Sequence, residues 1–195
     1  MAEAAIDRRS EVLLAAEKLF SERGFQATSV RDIAEAVDIK AGSLYAHIET
    51  KEDLLWAIVT SAADRFFEAV EPIVHSDVVP IEKLRRVITA HVKVVTSSTS
   101  AAAVYSTEWR HLTDPRRREF AARRDAYEQI VRGLVHDCIR QGTLGDVDEK
   151  FATLLILSSI NWIYHWYRPD GPMSPEEIAR RITDLLLNGL RRGGT

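Results

Sequence analysis

A chain of 195 residues with 46% hydrophobic and 28% charged residues can bury a full core without crosslinks, and its lone cysteine, Cys138, excludes an internal disulfide. The formal net charge of −3 excludes nucleic-acid binding through a general excess of cations. The N-terminus MAEAAIDRRS has no basic flank followed by an apolar run, so no signal peptide is expected and a reducing cytoplasm is the expected location.

The first predicted helix runs from Asp7 to Arg23. Val12, Leu13, Ala16, Leu19 and Phe20 form one apolar stripe, and Gly24 ends it. Arg8 and Arg9 stand near its start, either solvated or as an arm on a DNA backbone. A second helix, Ser29 to Ala36, opens with a capping box, Ser29 with Asp32, and turns Val30, Ile33, Ala34 and Val37 inward. The corner Val37-Asp38-Ile39 needs one residue in the left-handed region, and Asp38 is the one that tolerates it. A third helix, Lys40 to Ile48, sends Leu44 and Ile48 inward and leaves Lys40, Ala41, Gly42, Ser43, Tyr45, Ala46 and His47 outward or on the flanks. Two apolar-backed helices joined by a three-residue turn describe a helix-turn-helix, whose second helix can enter a major groove. Thr50 then caps a fourth helix, again as a capping box with Asp53. Lys51 in its first turn puts an ammonium beside backbone N–H groups that favour a phosphate.

The charges of this region do not supply the binding by their sum. Over the first 51 residues seven basic side chains face nine acidic ones. Where the charges point must decide.

The stretch LFSERGFQATSVRDIAEAVDIKAGSLYAHIETKEDLL resembles the DNA-binding domain of the TetR family of bacterial transcriptional regulators, almost continuously over residues 10–55. The Gly24–Phe25 break, TSVRDIAE, the G-S-L-Y core and the T-K-E-D-L start of the fourth helix carry the resemblance. It implies that Ser43, Tyr45, His47 and Lys51 hold phosphates and that Lys40, Ala41 and Gly42 approach bases. With Arg8, Thr28 and Ser29 these make up the expected DNA-binding set. The family commonly has Gly at the place of Asp38, and Lys, His and Phe at those of Ala41, Ala46 and Ile48, which leaves the bases read open.

Beyond residue 51 the pattern is helix with breakers. The fourth helix runs to about Val74, the fifth from Ile81 to Ser97, and a loosened join from Thr96 to Ala103 precedes a sixth, Tyr105 to Leu112. Thr113-Asp114-Pro115 opens a seventh that ends at Gly142. An eighth, about Asp148 to Trp166, stops before Arg168-Pro169-Asp170-Gly171-Pro172, and a ninth runs from Ser174 to about Arg192. Phe151 to Tyr167 lacks Asp, Glu, Lys and Arg, but is short for a membrane span and carries Ser158, Ser159, Asn161 and His165, so no membrane partner is expected. The expected fold is therefore all-α, about nine helices: a three-helix DNA-binding domain over 1–50 and a helical effector-binding and dimerisation domain over 51–195.

The eighth helix is apolar nearly all round, and the ninth carries Ile178, Ile182, Leu185, Leu186 and Leu190 at helical spacing. A helix apolar on two sides needs two covers, and a second copy of the chain is the simplest second one, the alternative being the buried central helix of a monomer. Leu154, Leu157, Trp162, Ile182 and Leu186 are the expected dimer interface. Two recognition helices about 34–36 Å apart then bind a pseudo-palindrome with combined strength. Phe66, Phe67, His91, Tyr105, Trp109, Tyr127, Trp162, His165 and Trp166 are either plain core or, as a group of apolar bodies with polar tips, the lining an amphipathic effector requires. The segment NWIYHWYRPDGPMSPEEIA is similar to TetR-family members whose effectors are acyl-CoA or related thioesters of fatty-acid, steroid or aromatic catabolism. The arginines 116, 117, 118, 123 and 124 are either its phosphate partners or a solvated face.

No catalytic motif appears: there is no Gly-rich phosphate loop, no G-x-S-x-G and no His pair at metal-ligand spacing, so neither enzyme activity nor a cofactor or metal is expected. The expected function is a ligand-responsive repressor that leaves its operator when the effector binds. A helical adaptor that never binds DNA and an effector-dependent activator are the alternatives.

Overall fold

Capping, turn residues and apolar stripes generate an all-helical chain in the computed structural model, which describes residues 2–46 and 48–190, with side chains for 8–46 and 48–189. Its elements are α1 (Ala2–Arg23), α2 (Val30–Ala36), α3 (Ala41–Leu44), α4 (Lys51–Val74), α5 (Pro80–Ser97), α6 (Thr99–Thr107), a 3₁₀ turn η1 (Glu108–His111), α7 (Arg116–Arg140), α8 (Glu149–Asn161), α9 (Ile163–Trp166) and α10 (Pro175–Leu190). None of the helices among the described residues is long and apolar enough to cross a membrane.

The chain packs as two compact units. The first comprises residues 1–63 and 100–121, the second 64–99 and 122–195. In the first, α1 packs on α2 and α2 on α3. Val12, Ala16, Phe20, Ile33, Ala34, Leu44, Leu54 and Leu55 are all but fully buried there, so the helix-turn-helix has a core of its own. In the second, α10 lies along α5, while α8 and α9 also rest on α5. Leu84, Val87, Ile88, Val92, Ile156, Ile160, Ala179 and Leu187 fill that core.

Three expectations shift. The third helix is one turn, Ala41–Leu44, rather than Lys40–Ile48. Gly42 lowers helix propensity and Lys40 supplies no side-chain cap, while Leu44 and Ile48 are buried beneath it. The loosened join at 96–103 is mostly helix: only Ser98 departs, at φ −150 and ψ 96, and α6 begins at Thr99. Ala101 and Ala102 are buried, so the small side chains allow close packing. The eighth helix stops at Asn161 and resumes as α9 after Trp162. Ser159 Oγ donates to the Leu155 carbonyl at 2.8 Å, a back-bond of the kind that bends helices.

Candidate nucleic-acid interface

The interface is built on a short corner held by local hydrogen bonds. Ser29 Oγ accepts from the Asp32 N–H at 3.1 Å, and the Asp32 carboxylate accepts from the Ser29 N–H at 2.7 Å, closing the capping box of α2. The Ser29 side-chain and backbone bonds hold the Asp32 carboxyl below the usual carboxylate range. At the far end Ile39 N–H returns to the Ala34 carbonyl at 3.0 Å, and Asp38 takes φ 53, the left-handed conformation the corner demands. Lys40 is extended, and its carbonyl accepts the Ser43 N–H at 2.8 Å, which starts α3.

That geometry buries Leu44 and Ile48 and turns Lys40, Gly42, Ser43, Tyr45 and Ala46 outward, with Ala41 half-buried; Tyr45 is 57% exposed. A Cβ on Gly42 would meet nothing within 4 Å, so the glycine leaves open space where a base or backbone can approach. Lys40 forms no ion pair among the described residues. Arg8 is exposed, donates to Glu11 at 2.7 Å and reaches the Val37 carbonyl at 3.5 Å, which brings it to the corner. His47 lies outside the described residues.

Other members of the expected set are turned to different work. Thr28 is 1% exposed, and its hydroxyl donates to the carbonyls of Gly24 and Leu19. Ser29 Oγ is committed to Asp32. The Lys51 ammonium, expected on a phosphate, instead donates to the carbonyls of Phe25 at 2.6 Å and Thr28 at 2.7 Å. It also sits 4.1 Å from the centre of the Phe25 ring. Burial lowers its pKa, with Asp32 opposing. The cause is tertiary: α4 begins under the α1–α2 loop, whose carbonyls converge on the lysine.

The start of α4 is tied down by a segment of distant sequence. Thr113 Oγ1 donates to Glu52 at 2.9 Å, and Arg116 donates to Asp53 at 2.7 Å while lying over the Trp56 ring. Burial would raise the Asp53 pKa, but Arg116 and Thr50 together hold it below the ordinary value. Glu108 of η1 accepts the Phe25 N–H at 2.8 Å. Sequence reading missed Glu108. It lay inside the expected sixth helix, Tyr105 to Leu112, and Glu-Trp-Arg-His carries no motif.

The expected effector residues form separate groups. In the second unit Phe66, Phe67, His91 and Tyr127 come together, with the Phe66 and His91 rings 4.5 Å apart. His91 is 2% exposed, faces the Tyr127 hydroxyl at 3.0 Å through Nδ1 and the Asn161 carbonyl oxygen at 3.2 Å through Nε2. With Nε2–H donating to Asn161 and Nδ1 accepting from Tyr127, the ring is satisfied as the neutral form. Burial pushes its pKa down to about 3, against the Asn161 bond, which favours the charged ring. In the first unit Tyr105 and Trp109 pack on Phe120 instead. Trp162, His165 and Trp166 are exposed, with Trp162 stacked on His165 at 4.5 Å. Clefts open elsewhere: one of about 630 Å³ in the first unit beside Tyr45, Trp56 and Arg116, another of about 460 Å³ in the second between α5 and α10.

Exposed apolar side chains mark another surface. Phe151, Leu154, Leu155 and Trp162 lie at i, i+3, i+4 and i+11 of one helical stripe and are 42–70% exposed, while Leu185 on α10 is 76% exposed. Leu157, Ile182 and Leu186 are half-buried. The sequence had not separated Phe151, Leu155 and Leu185 from core positions.

A capped helix-turn-helix with an open second helix defines a DNA-binding regulator. The comparisons give the family. Residues 12–58 match the family described as bacterial regulatory proteins, tetR family, and residues 77–190 match the tetracyclin repressor-like C-terminal domain. The HTH-type transcriptional repressor KstR2 of Rhodococcus jostii is 32% identical over 94% of this chain and 91% of its own length. The structure of the ketosteroid transcriptional regulator KstR2 of Mycobacterium tuberculosis superposes with a TM-score of 0.89 at 28% identity, covering 95% of each chain. AibR in complex with isovaleryl coenzyme A and operator DNA gives a TM-score of 0.83 at 30% identity, covering 92% of this chain and 98% of AibR. The chain belongs to the TetR family of bacterial transcriptional regulators.

Proposed function

We propose that this regulator is a homodimeric repressor that binds a pseudo-palindromic operator and releases it when a CoA thioester or similar lipid-like effector binds. The observation that carries the DNA part is the open face Lys40-Gly42-Ser43-Tyr45 over a buried Leu44 and Ile48. Backbone and small groups dominate this face, so it grips phosphates more than it selects bases, and half-site spacing supplies much of the specificity. Residues 1–50 serve DNA and 51–195 serve effector and dimer.

The exposed stripe on α8 and Leu185 on α10 support the dimer, since patches of this kind on a soluble chain mark interfaces. Two helices from each copy make a four-helix interface about a two-fold axis. The effector class rests on likeness to AibR, whose complex contains isovaleryl coenzyme A, and to the repressor KstR2. The Phe66–His91–Tyr127 group is packed and internally hydrogen-bonded. An effector entering there has to open it, and α4, which carries Phe66 and begins at Lys51, passes the change to the DNA-binding corner as a population shift.

The test is binding to the duplex upstream of the protein's own or a neighbouring gene. Affinity well above that for random duplex at moderate salt is expected, with release by acyl-CoAs at concentrations where free CoA has no effect. An intact dimer with no preference over random duplex would overturn the repressor reading, and equal action by CoA would overturn the thioester reading.

A further inference from the structure

We infer that Glu108 is a positioning residue for DNA recognition: its carboxylate, presented by η1, holds the α1–α2 loop so that α2 and α3 stand in the geometry that DNA reads. The inference rests on the helix-turn-helix being the DNA-binding element.

The loop Gly24 to Thr28 is the hinge on which α2 hangs, and it is gripped from two directions. From below, Lys51 donates to the Phe25 and Thr28 carbonyls and lies over the Phe25 ring. From the side, Glu108 Oε2 accepts the Phe25 N–H at 2.8 Å. This is the donor released where α1 ends, because Gly24 at φ 85 has turned the chain out of the helix. A carboxylate on that N–H is a charge-assisted bond. The Glu108 side chain is only 15% exposed, which keeps water from competing. Its other oxygen accepts from Thr107 Oγ1 at 2.9 Å, so the carboxylate is aimed before the loop arrives. His111, one turn on, completes the seat: its ring stacks on Phe25 with an interplanar angle of 16°, and its Nδ1 meets Gln26 Nε2 at 3.2 Å.

Phe25 therefore has its N–H, its carbonyl and its ring all held by residues far away in the sequence. The chain sets a partly buried carboxylate, steadied by Thr107 and with His111 Nε2 at 3.7 Å, against a backbone amide of a surface loop. A loop that only had to connect two helices would be satisfied by water there. The segment that provides Glu108 is flanked by α5 before α6 and continues into α7, the helices that carry His91 and Tyr127. The latch thus sits on the stretch of chain between those residues.

Amide hydrogen exchange on the full-length protein tests the latch without DNA. In Glu108→Ala the Phe25 to Thr28 amides and those of α2 and α3 should exchange about tenfold faster, the loss of one charge-assisted bond, with α5, α8 and α10 unchanged. Glu108→Gln, which keeps an acceptor oxygen, should recover most of the protection. Operator affinity should follow: down about tenfold in the Ala variant and within about twofold in the Gln variant. Unchanged exchange in α2 and α3, or equal acceleration throughout the chain, overturns the inference. So does normal operator affinity in a Glu108→Ala protein whose loop amides are deprotected. If the wild type shows no operator binding while the exchange pattern is as expected, the repressor reading fails and the latch stands.

Discussion

The Lys51 ammonium lies 2.6 Å from the Phe25 carbonyl oxygen and 4.1 Å from the centre of the Phe25 ring. A lysine so placed is a strut, with two of its three N–H donors bonded inside the protein and its charge against the ring. Counterion release from DNA counts only cations that neutralise phosphates. Lys51→Ala should therefore loosen the first unit by about 1–2 kcal/mol while leaving the slope of log affinity against log salt unchanged. Lys40, exposed at the start of α3, should behave in the opposite way: Lys40→Ala keeps the melting temperature and lowers the slope by about one unit per half-site. Salt titrations of both variants on one operator decide the matter. A reduced slope for Lys51→Ala would return that residue to the phosphate.

Asp38 occupies φ 53 at the corner between α2 and α3. An L residue there carries a steric cost that glycine does not, and Asp bears it better than a β-branched residue. Asp38→Gly should hold or raise stability, by up to about 1 kcal/mol, and leave operator binding intact. Asp38→Val should lose roughly 1–2 kcal/mol and weaken binding in proportion, because the strain falls on the turn that sets the two helices. Thermal melts followed by operator titration of the same preparations compare them. A Val variant as stable as the wild type would mean the corner relaxes into another turn.

Local chemistry was legible in the sequence; long-range chemistry was not. Ser29 with Asp32, Thr50 with Asp53 and the left-handed Asp38 were each readable from a few neighbouring residues, and each forms as expected. The TetR-family fold followed from the same stretch. The contacts Lys51 makes inside the protein went unseen because its partners, the Phe25 and Thr28 carbonyls, are 26 and 23 residues away and are brought there by packing. Glu108 went unseen for the same reason, at a separation of 83 residues. The aromatic residues were recognised as a set by composition, but composition has no geometry. Phe66, His91 and Tyr127 cluster, whereas Trp162 and Trp166 face outward on a helix that a single periodicity could not orient.

Leu185 is the most exposed of the large apolar side chains among the described residues at 76%, on a helix that packs along α5 and α8. Within one copy it contributes almost nothing to the core. Leu185→Glu should therefore leave helicity unchanged and shift the protein from dimer to monomer, because burying two unpaired carboxylates at a two-fold interface costs several kcal/mol. Light scattering or sedimentation gives the mass. Operator affinity should fall at least about a hundredfold with the loss of bivalency. A variant that stays dimeric would move the interface off α10, and Phe151→Glu then tests the α8 stripe alone.

His91 gives the protein a specific response to acid. In the folded chain its ring remains neutral down to about pH 3, held so by burial beside Phe66 and Tyr127 and against the Asn161 bond, while in the unfolded chain it protonates near the ordinary histidine value of 6.5. Between those values the unfolded state binds the extra proton. Stability must therefore rise with pH across this window and be lost as pH falls from about 6.5, by up to about 1.4 kcal/mol per pH unit from this group. The carboxylates held low, Asp32, Asp53 and Glu176, act in the same direction but only from the ordinary carboxylate range downward, so they do not obscure the interval from pH 6 to pH 5. His91→Gln keeps a polar side chain beside Asn161 and cannot titrate. It should be less stable than the wild type at pH 7, lose less stability between pH 6 and pH 5, and approach the wild-type value toward pH 4. Denaturant unfolding at each pH provides the curves. Parallel curves for the two proteins would mean that the ring takes its proton in the folded state, and that the Phe66–His91–Tyr127 group is open to water rather than packed.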